Sequence, residues 1–96
     1  MYARVVTIEL DPQRVDEVVK VYRESIWPAG KEQPGHAGGL FLTDPATGKA
    51  ISISLWESEA EMLSGEDSSY LSEQIARVAT AFTAAPVTEH FHVSMK

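Results

Sequence analysis

The segment ISISLWESEAEM, Ile51 to Met62, changes its period in mid-course. Ile51, Ile53 and Leu55 alternate with Ser52, Ser54 and Trp56, the two-residue repeat of a strand with distinct faces. Directly after Trp56, S-E-A-E is a capping box in which Ser58 accepts from the amide of Glu61 while Glu61 reaches back, so a helix begins there. Trp56 is preceded on its own face by nothing bulkier than Ser54, Ser52 and Ala50. A low floor ending in one large side chain predicts a roofed cavity.

Working outward, Asp44-Pro45-Ala46-Thr47-Gly48 has the chemistry of a turn, and it folds a strand over Gly38 to Thr43 back onto Lys49 to Trp56. Tyr2 to Leu10, rich in β-branched residues, reads as a further strand that stops at Asp11-Pro12. Val15, Val18, Val19, Tyr22 and Ile26 then recur at helical spacing, and the helix is expected to end near Trp27-Pro28. Beyond a break at Gly65 to Ser68, a second long helix is expected to carry Leu71, Ile75, Val78, Ala79 and Phe82 on one face. Val87 to Met95 alternates once more, with His90 and His92 sharing a side. The order is strand, helix, strand, strand, helix, strand. This predicts an α+β, ferredoxin-like βαββαβ domain with a four-stranded antiparallel sheet and both helices on one face.

A chain of 96 residues is one domain, 1–96, and buries a modest fraction of its surface as a monomer. Ile51, Ile53 and Leu55 lie opposite Ser52, Ser54 and Trp56, and Val5 and Thr7 lie opposite Val6 and Ile8, so neither sheet face reads as fully solvated. A second sheet packed against the first is expected, and with it a homodimer. The net charge of -6 argues against nucleic acid or an anionic membrane as partner. The absence of cysteine excludes disulfides, thiolate metal sites and cysteine nucleophiles. No stretch has the length of a membrane span and the start lacks a signal-peptide pattern, so the expectation is a cytoplasmic protein.

The segment Pro34 to Met62, PGHAGGLFLTDPATGKAISISLWESEAEM, resembles the core signature of the antibiotic biosynthesis monooxygenase family: Pro-Gly before the second strand, a turned hairpin, and a third strand ending in Trp-Glu-Ser at a helix start. The resemblance implies two sheets joined into a dimeric α/β barrel. It also implies a monooxygenase that oxidises a small aromatic or phenolic substrate with dioxygen and needs no metal, flavin or other cofactor. Trp56 matches the Trp of the family's motif; the family's Asn four residues earlier is Ser52 here, a shorter group without the amide's paired donor and acceptor. Haem degradation by the related enzymes' route is not expected, because the helix after Asp67 carries no His.

The candidate catalytic residues are therefore Trp56 and Ser52, which position a ring, with His90 or His92 as a base. Two His on one strand face are also two arms of a metal site, but no third ligand is placed and none is assigned. Tyr22, Trp27, Met62 and Phe82 are expected to wall the cavity around a small apolar or aromatic ligand. His36 can gate it from a glycine-rich loop, and Arg77 can orient an anionic ligand or, facing outward, pair with Glu73. The alternative to an enzyme is a non-catalytic, dimeric, stress-associated module that holds such a ligand unchanged. The alternative to a cavity is a core filled by one tightly fitted Trp56.

Overall fold

The computed structural model describes residues 1–96. Its sheet has the strand order β2-β3-β1-β4, all neighbours antiparallel, with β1 at Tyr2–Glu9, β2 at His36–Thr43, β3 at Lys49–Trp56 and β4 at Val87–His92. Helices lie over one face only. The hairpin is where the turn residues put it: the carbonyl of Asp44 accepts from the Gly48 amide at 2.8 Å, and Gly48 takes φ +83, open to glycine alone without strain. No helix is long and apolar enough to cross a membrane.

Register fixes which side chains meet. Val6 stands opposite Ser52 and Ile8 opposite Ala50, and with Leu10 they meet Val15 and Val18 of α1 (Val15–Val21) and Val78 and Ala81 from beyond the second helical run. That cluster is the core, and it occupies only one end of the covered face. Towards the other end the strands carry Arg4, Ser52 and Ser54, then Trp56.

The first helix does not end at Pro28. It runs through residues 15–31 as α1, a π-helical segment at Tyr22–Ile26 and α2 at Trp27–Lys31, with Pro28 in the first turn of α2. A proline inside an α-helix removes one hydrogen bond and collides with a carbonyl of the preceding turn. Here the wider turn has already displaced that ladder: the Trp27 amide reaches back to Tyr22, five residues, rather than four. A π turn of this kind re-aims the side chains that follow. It places Tyr22, Ile26 and Trp27 over the small-residue end of the sheet.

The second helical run is also corrected. The capping box forms, with the Glu61 amide donating to Ser58 Oγ at 3.2 Å, but Glu61 closes it by accepting from the Ser58 hydroxyl at 2.9 Å rather than from its amide. The helix α3 (Glu59–Asp67) then breaks at Ser68-Ser69, α4 lasts only from Tyr70 to Ala76, and a 3-10 turn follows at Ala79–Ala81. Phe82 is extended, not helical, and its backbone bridges to Leu10. Strand β4 stops at His92, short of Met95.

The uncovered face presents Ile51, Ile53 and Leu55 between Leu40 and Leu42 on one side and Val87 and Phe91 on the other. Leu40 is 59% and Phe91 50% exposed, so an apolar stripe crosses the whole sheet.

Gly48 tests the local account most sharply. A Cβ there would run into the Leu10 carbonyl, which lies where the hairpin turn meets the end of β1. Gly48→Ala is expected to destabilise the domain by roughly 2 kcal/mol or more, read as a lower denaturation midpoint at unchanged slope.

Candidate functional site

Between the small-residue end of the sheet and the helices lies a cleft lined by Arg4, Tyr22, Trp27, His36, Ser52, Ser54, Trp56, Tyr70 and Gln74 among others. The space among these side chains, counted together with open solvent at its mouth, is about 470 Å³. A second hollow continues it: Val6, Tyr22, Ile26, Ser52, Leu71 and Gln74 line both, and the extension adds Ile8, Phe41, Ile75, Val78 and Phe82. One end is polar and aromatic; the other is apolar.

Trp56 forms the floor, buried to 1% exposure, and its indole N–H donates to Ser54 Oγ at 2.9 Å. His36 stands beside it, edge-on to both Trp56 (5.4 Å between ring centroids) and Trp27 (5.6 Å). It gets there through a bulge in β2: His36 pairs with Trp56 and Gly38 with Leu55, so Ala37 is the extra residue. Without the bulge, regular two-residue alternation would put His36 on the face of Gly38 and Leu40, opposite Trp56. Gly30 of α2 completes this corner, since a Cβ on it would stand 3.1 Å from the Tyr70 hydroxyl and 3.8 Å from His36 Nε2. The missing side chain leaves those two polar atoms bordering one gap.

Tyr22 divides the two hollows. Its ring stacks on Phe41 (4.2 Å, 7°) and its hydroxyl shares a 3.2 Å hydrogen bond with Ser52 Oγ. Burial raises the pKa of the Tyr22 phenol, partly offset by that bond, and burial likewise raises that of Tyr70. Both remain neutral donors. Burial, with a smaller contribution from Lys31, pushes His36 below the ordinary imidazole value, so near neutral pH it is an unprotonated base.

Of the residues singled out in the sequence, Trp56, Ser52, Tyr22, Trp27 and His36 thus converge on one cleft, and Phe82 lines its apolar extension. Met62 does not join them. It is 1% exposed, a buried residue of α3 itself. Arg77 points away, its Nε donating to Gln74 Oε1 at 3.1 Å, and that glutamine takes the place of the expected Glu73. His90 and His92 share a strand face, as their spacing required, but lie outside the cleft around an open surface hollow with Tyr2, Glu59, Met62, Leu63 and Phe91. His92 packs edge-on to Tyr2 at 5.2 Å, and His90 Nε2 lies 2.8 Å from a carboxylate oxygen of Glu66. No group of three or more His, Asp or Glu side chains is placed to hold a metal ion.

Three residues escaped the sequence reading. Arg4, Tyr70 and Gln74 all line the cleft, the last two from α4, and Arg4 is 2% exposed. The signal for Arg4 was present: it occupies the same strand face as Val6, Ile8 and Leu10, a charge at a core-facing position. Tyr70 had no such signal, because its place follows from the unforeseen break before α4.

The position of His36 gives a stability test. Its folded pKa lies below the unfolded value of about 6.5, so the unfolded chain binds the proton first as pH falls. Stability from this group is complete above about pH 6.5 and declines as the pH drops below it. Thermal unfolding of wild type and His36→Gln across pH 5 to 8 is expected to show the acid-side loss reduced in the variant.

No family model matches the sequence. Two uncharacterized proteins from different strains of Mycobacterium tuberculosis are 38% identical over 58 residues, 60% of this chain. The chain spans about a quarter of their length, 25%. Among solved structures, a Streptomyces coelicolor monooxygenase in complex with nanaomycin D superposes at TM-score 0.81 with 15% identity, covering 99% of this chain and 88% of that one. A Nitrosomonas europaea protein that carries the antibiotic biosynthesis monooxygenase name superposes at 0.79 with 11% identity, covering 99% and 100%. One from Caulobacter crescentus with the same name superposes at 0.78 with 18% identity, covering 98% and 90%. At these identities the likeness is one of architecture: the chain is a ferredoxin-like α+β domain with the fold of the antibiotic biosynthesis monooxygenases.

Proposed function

We propose that the cleft binds a small aromatic substrate and oxidises it with dioxygen, without a cofactor, and that the working unit is a homodimer. The observation that carries the first part is His36, an unprotonated imidazole between two indoles at the edge of an aromatic cleft. The shared architecture with a monooxygenase that holds nanaomycin D supports it. An anthrone-like ring system has an acidic CH2 conjugated to a carbonyl. His36 takes a proton from it, and the delocalised carbanion gives one electron to dioxygen. The radical pair joins as a C–O bond, His36 returns the proton to the peroxide, and loss of water leaves a carbonyl. Overall, CH2 and O2 become C=O and H2O. Trp56 and Trp27 sandwich the base, Tyr22 and Ser52 offer hydroxyls to ring oxygens, and Ser52 occupies the place of the resembling family's asparagine with a shorter reach.

The dimer follows from the uncovered face. A stripe of Leu40, Ile53, Val5 and Phe91 has no helix over it, and a second copy of the same sheet would remove it from water.

Oxygen uptake with a panel of anthrones and hydroquinones tests the chemistry. Wild type is expected to exceed the uncatalysed rate, with the rate rising through a pKa below 6.5 that belongs to His36. His36→Gln is expected to lose on the order of 100-fold or more, and Trp56→Ala to lose turnover, while His92→Gln stays unchanged. Equal rates for wild type and His36→Gln would remove the assigned base, and binding without uptake would point to a ligand carrier. For the assembly, sedimentation is expected to give twice the 10.5 kDa chain mass for wild type and a single chain for Phe91→Asp. A monomeric wild type would refute the second sheet.

A further inference from the structure

The cleft has an unusual charge. The chain holds fourteen acidic and eight basic residues, yet no Asp or Glu lines either hollow, and the one formally charged side chain that does is Arg4. Burying a guanidinium is costly unless each of its faces and donors is used. The guanidinium carbon Cζ lies over the Trp56 ring, 5.1 Å from its centroid. Nη2 donates to the Met62 carbonyl at 2.6 Å, and Nε donates to Glu66 at 3.1 Å. Nη1 makes no hydrogen bond within the protein and is not a sealed, unsatisfied atom, and the cleft is the hollow that Arg4 lines.

The counter-charge is also divided. Both carboxylate oxygens of Glu66 lie within 2.9 Å of His90 Nε2, on the solvent side, and Glu66 does not line the cleft. The Arg4 cation is thus neutralised by a carboxylate outside the cleft it lines, and its Nη1 has no partner within the protein. Beside it stand two further groups able to donate, the Tyr70 hydroxyl and Gln74. From there the space runs past Tyr22 into the apolar extension.

We infer that the cleft selects an aromatic ligand bearing a carboxylate, with the acid group on Arg4 Nη1 and the ring body lying past Tyr22 against Phe41, Ile75 and Phe82. This specifies the ligand class for the cleft proposed above and rests on that reading. The acidic surface of the protein repels such anions in general, so the buried guanidinium is what admits this one.

Calorimetric titration of the full chain with 2-naphthoate and with its neutral isostere 2-naphthamide separates charge from shape. Wild type is expected to favour the naphthoate by roughly tenfold or more. Arg4→Gln is expected to abolish that preference while keeping the naphthamide affinity within about twofold. Glu66→Gln, which removes the rear counter-charge and leaves Arg4 in place, is expected to tighten naphthoate alone; it covers the case in which Arg4→Gln does not fold. Equal affinity for both ligands in wild type, or a preference that survives in Arg4→Gln or fails to increase in Glu66→Gln, overturns the carboxylate anchor and leaves the cleft reading standing. Binding of neither ligand overturns both.

Discussion

The buried guanidinium of Arg4, laid over Trp56 and bonded to the carbonyl of Met62, ties the centre of the sheet to the α3 helix. Much of the site depends on that tie. It holds α3 against the strand end where the floor is lowest, and α4, which follows the break at Ser68-Ser69, brings Tyr70 and Gln74 over the same space. A leucine at position 4 would pack that corner as a second hydrophobic core. An arginine there keeps it polar, hydrogen-bonded and partly open.

The cleft owes its other wall to a helix that changes pitch. The π turn at Tyr22–Ile26 and the proline after it are one arrangement: the widened turn accommodates Pro28, and the altered phase directs Tyr22, Ile26 and Trp27 inward. The bulge in β2 acts in the same way from the opposite side by turning His36 onto the Trp56 face. Two local departures from regular geometry, one in a helix and one in a strand, thus converge on a single imidazole. That convergence supports the proposal of a site over that of a filled core.

What was legible in the sequence was whatever local chemistry determines. The hairpin and the limits Lys49–Trp56 of β3 follow from strict alternation and a turn rich in Asp, Pro and Gly. The start of α3 follows from its capping residues. The open apolar face follows from Ile51, Ile53 and Leu55. Pro28 misled because a proline reads as a helix stop, and the longer-range hydrogen bond that tolerates it leaves no mark in composition. His90 and His92 misled for a different reason: spacing places two side chains on one face but does not say whether helices cover that part of the face, and here β4 is the sheet edge. Met62 was correctly read as apolar and wrongly grouped with the cavity wall, and Phe82 reaches the apolar extension from an extended segment rather than from the expected helix, which ends six residues earlier at Ala76.

The central claim is that the space beside Trp56 is a ligand site. Its most direct test is the pair of indole N–H resonances in the 15N spectrum, because Trp27 and Trp56 are the protein's two tryptophans and both line that space. On titration with an anthrone-type ring compound, both are expected to shift and saturate together, with the Tyr70 and Gln74 amides following. Saturable shifts confined to Leu40, Ile53 and Phe91, with both indoles unmoved, would place the ligand on the open sheet face and contradict the account.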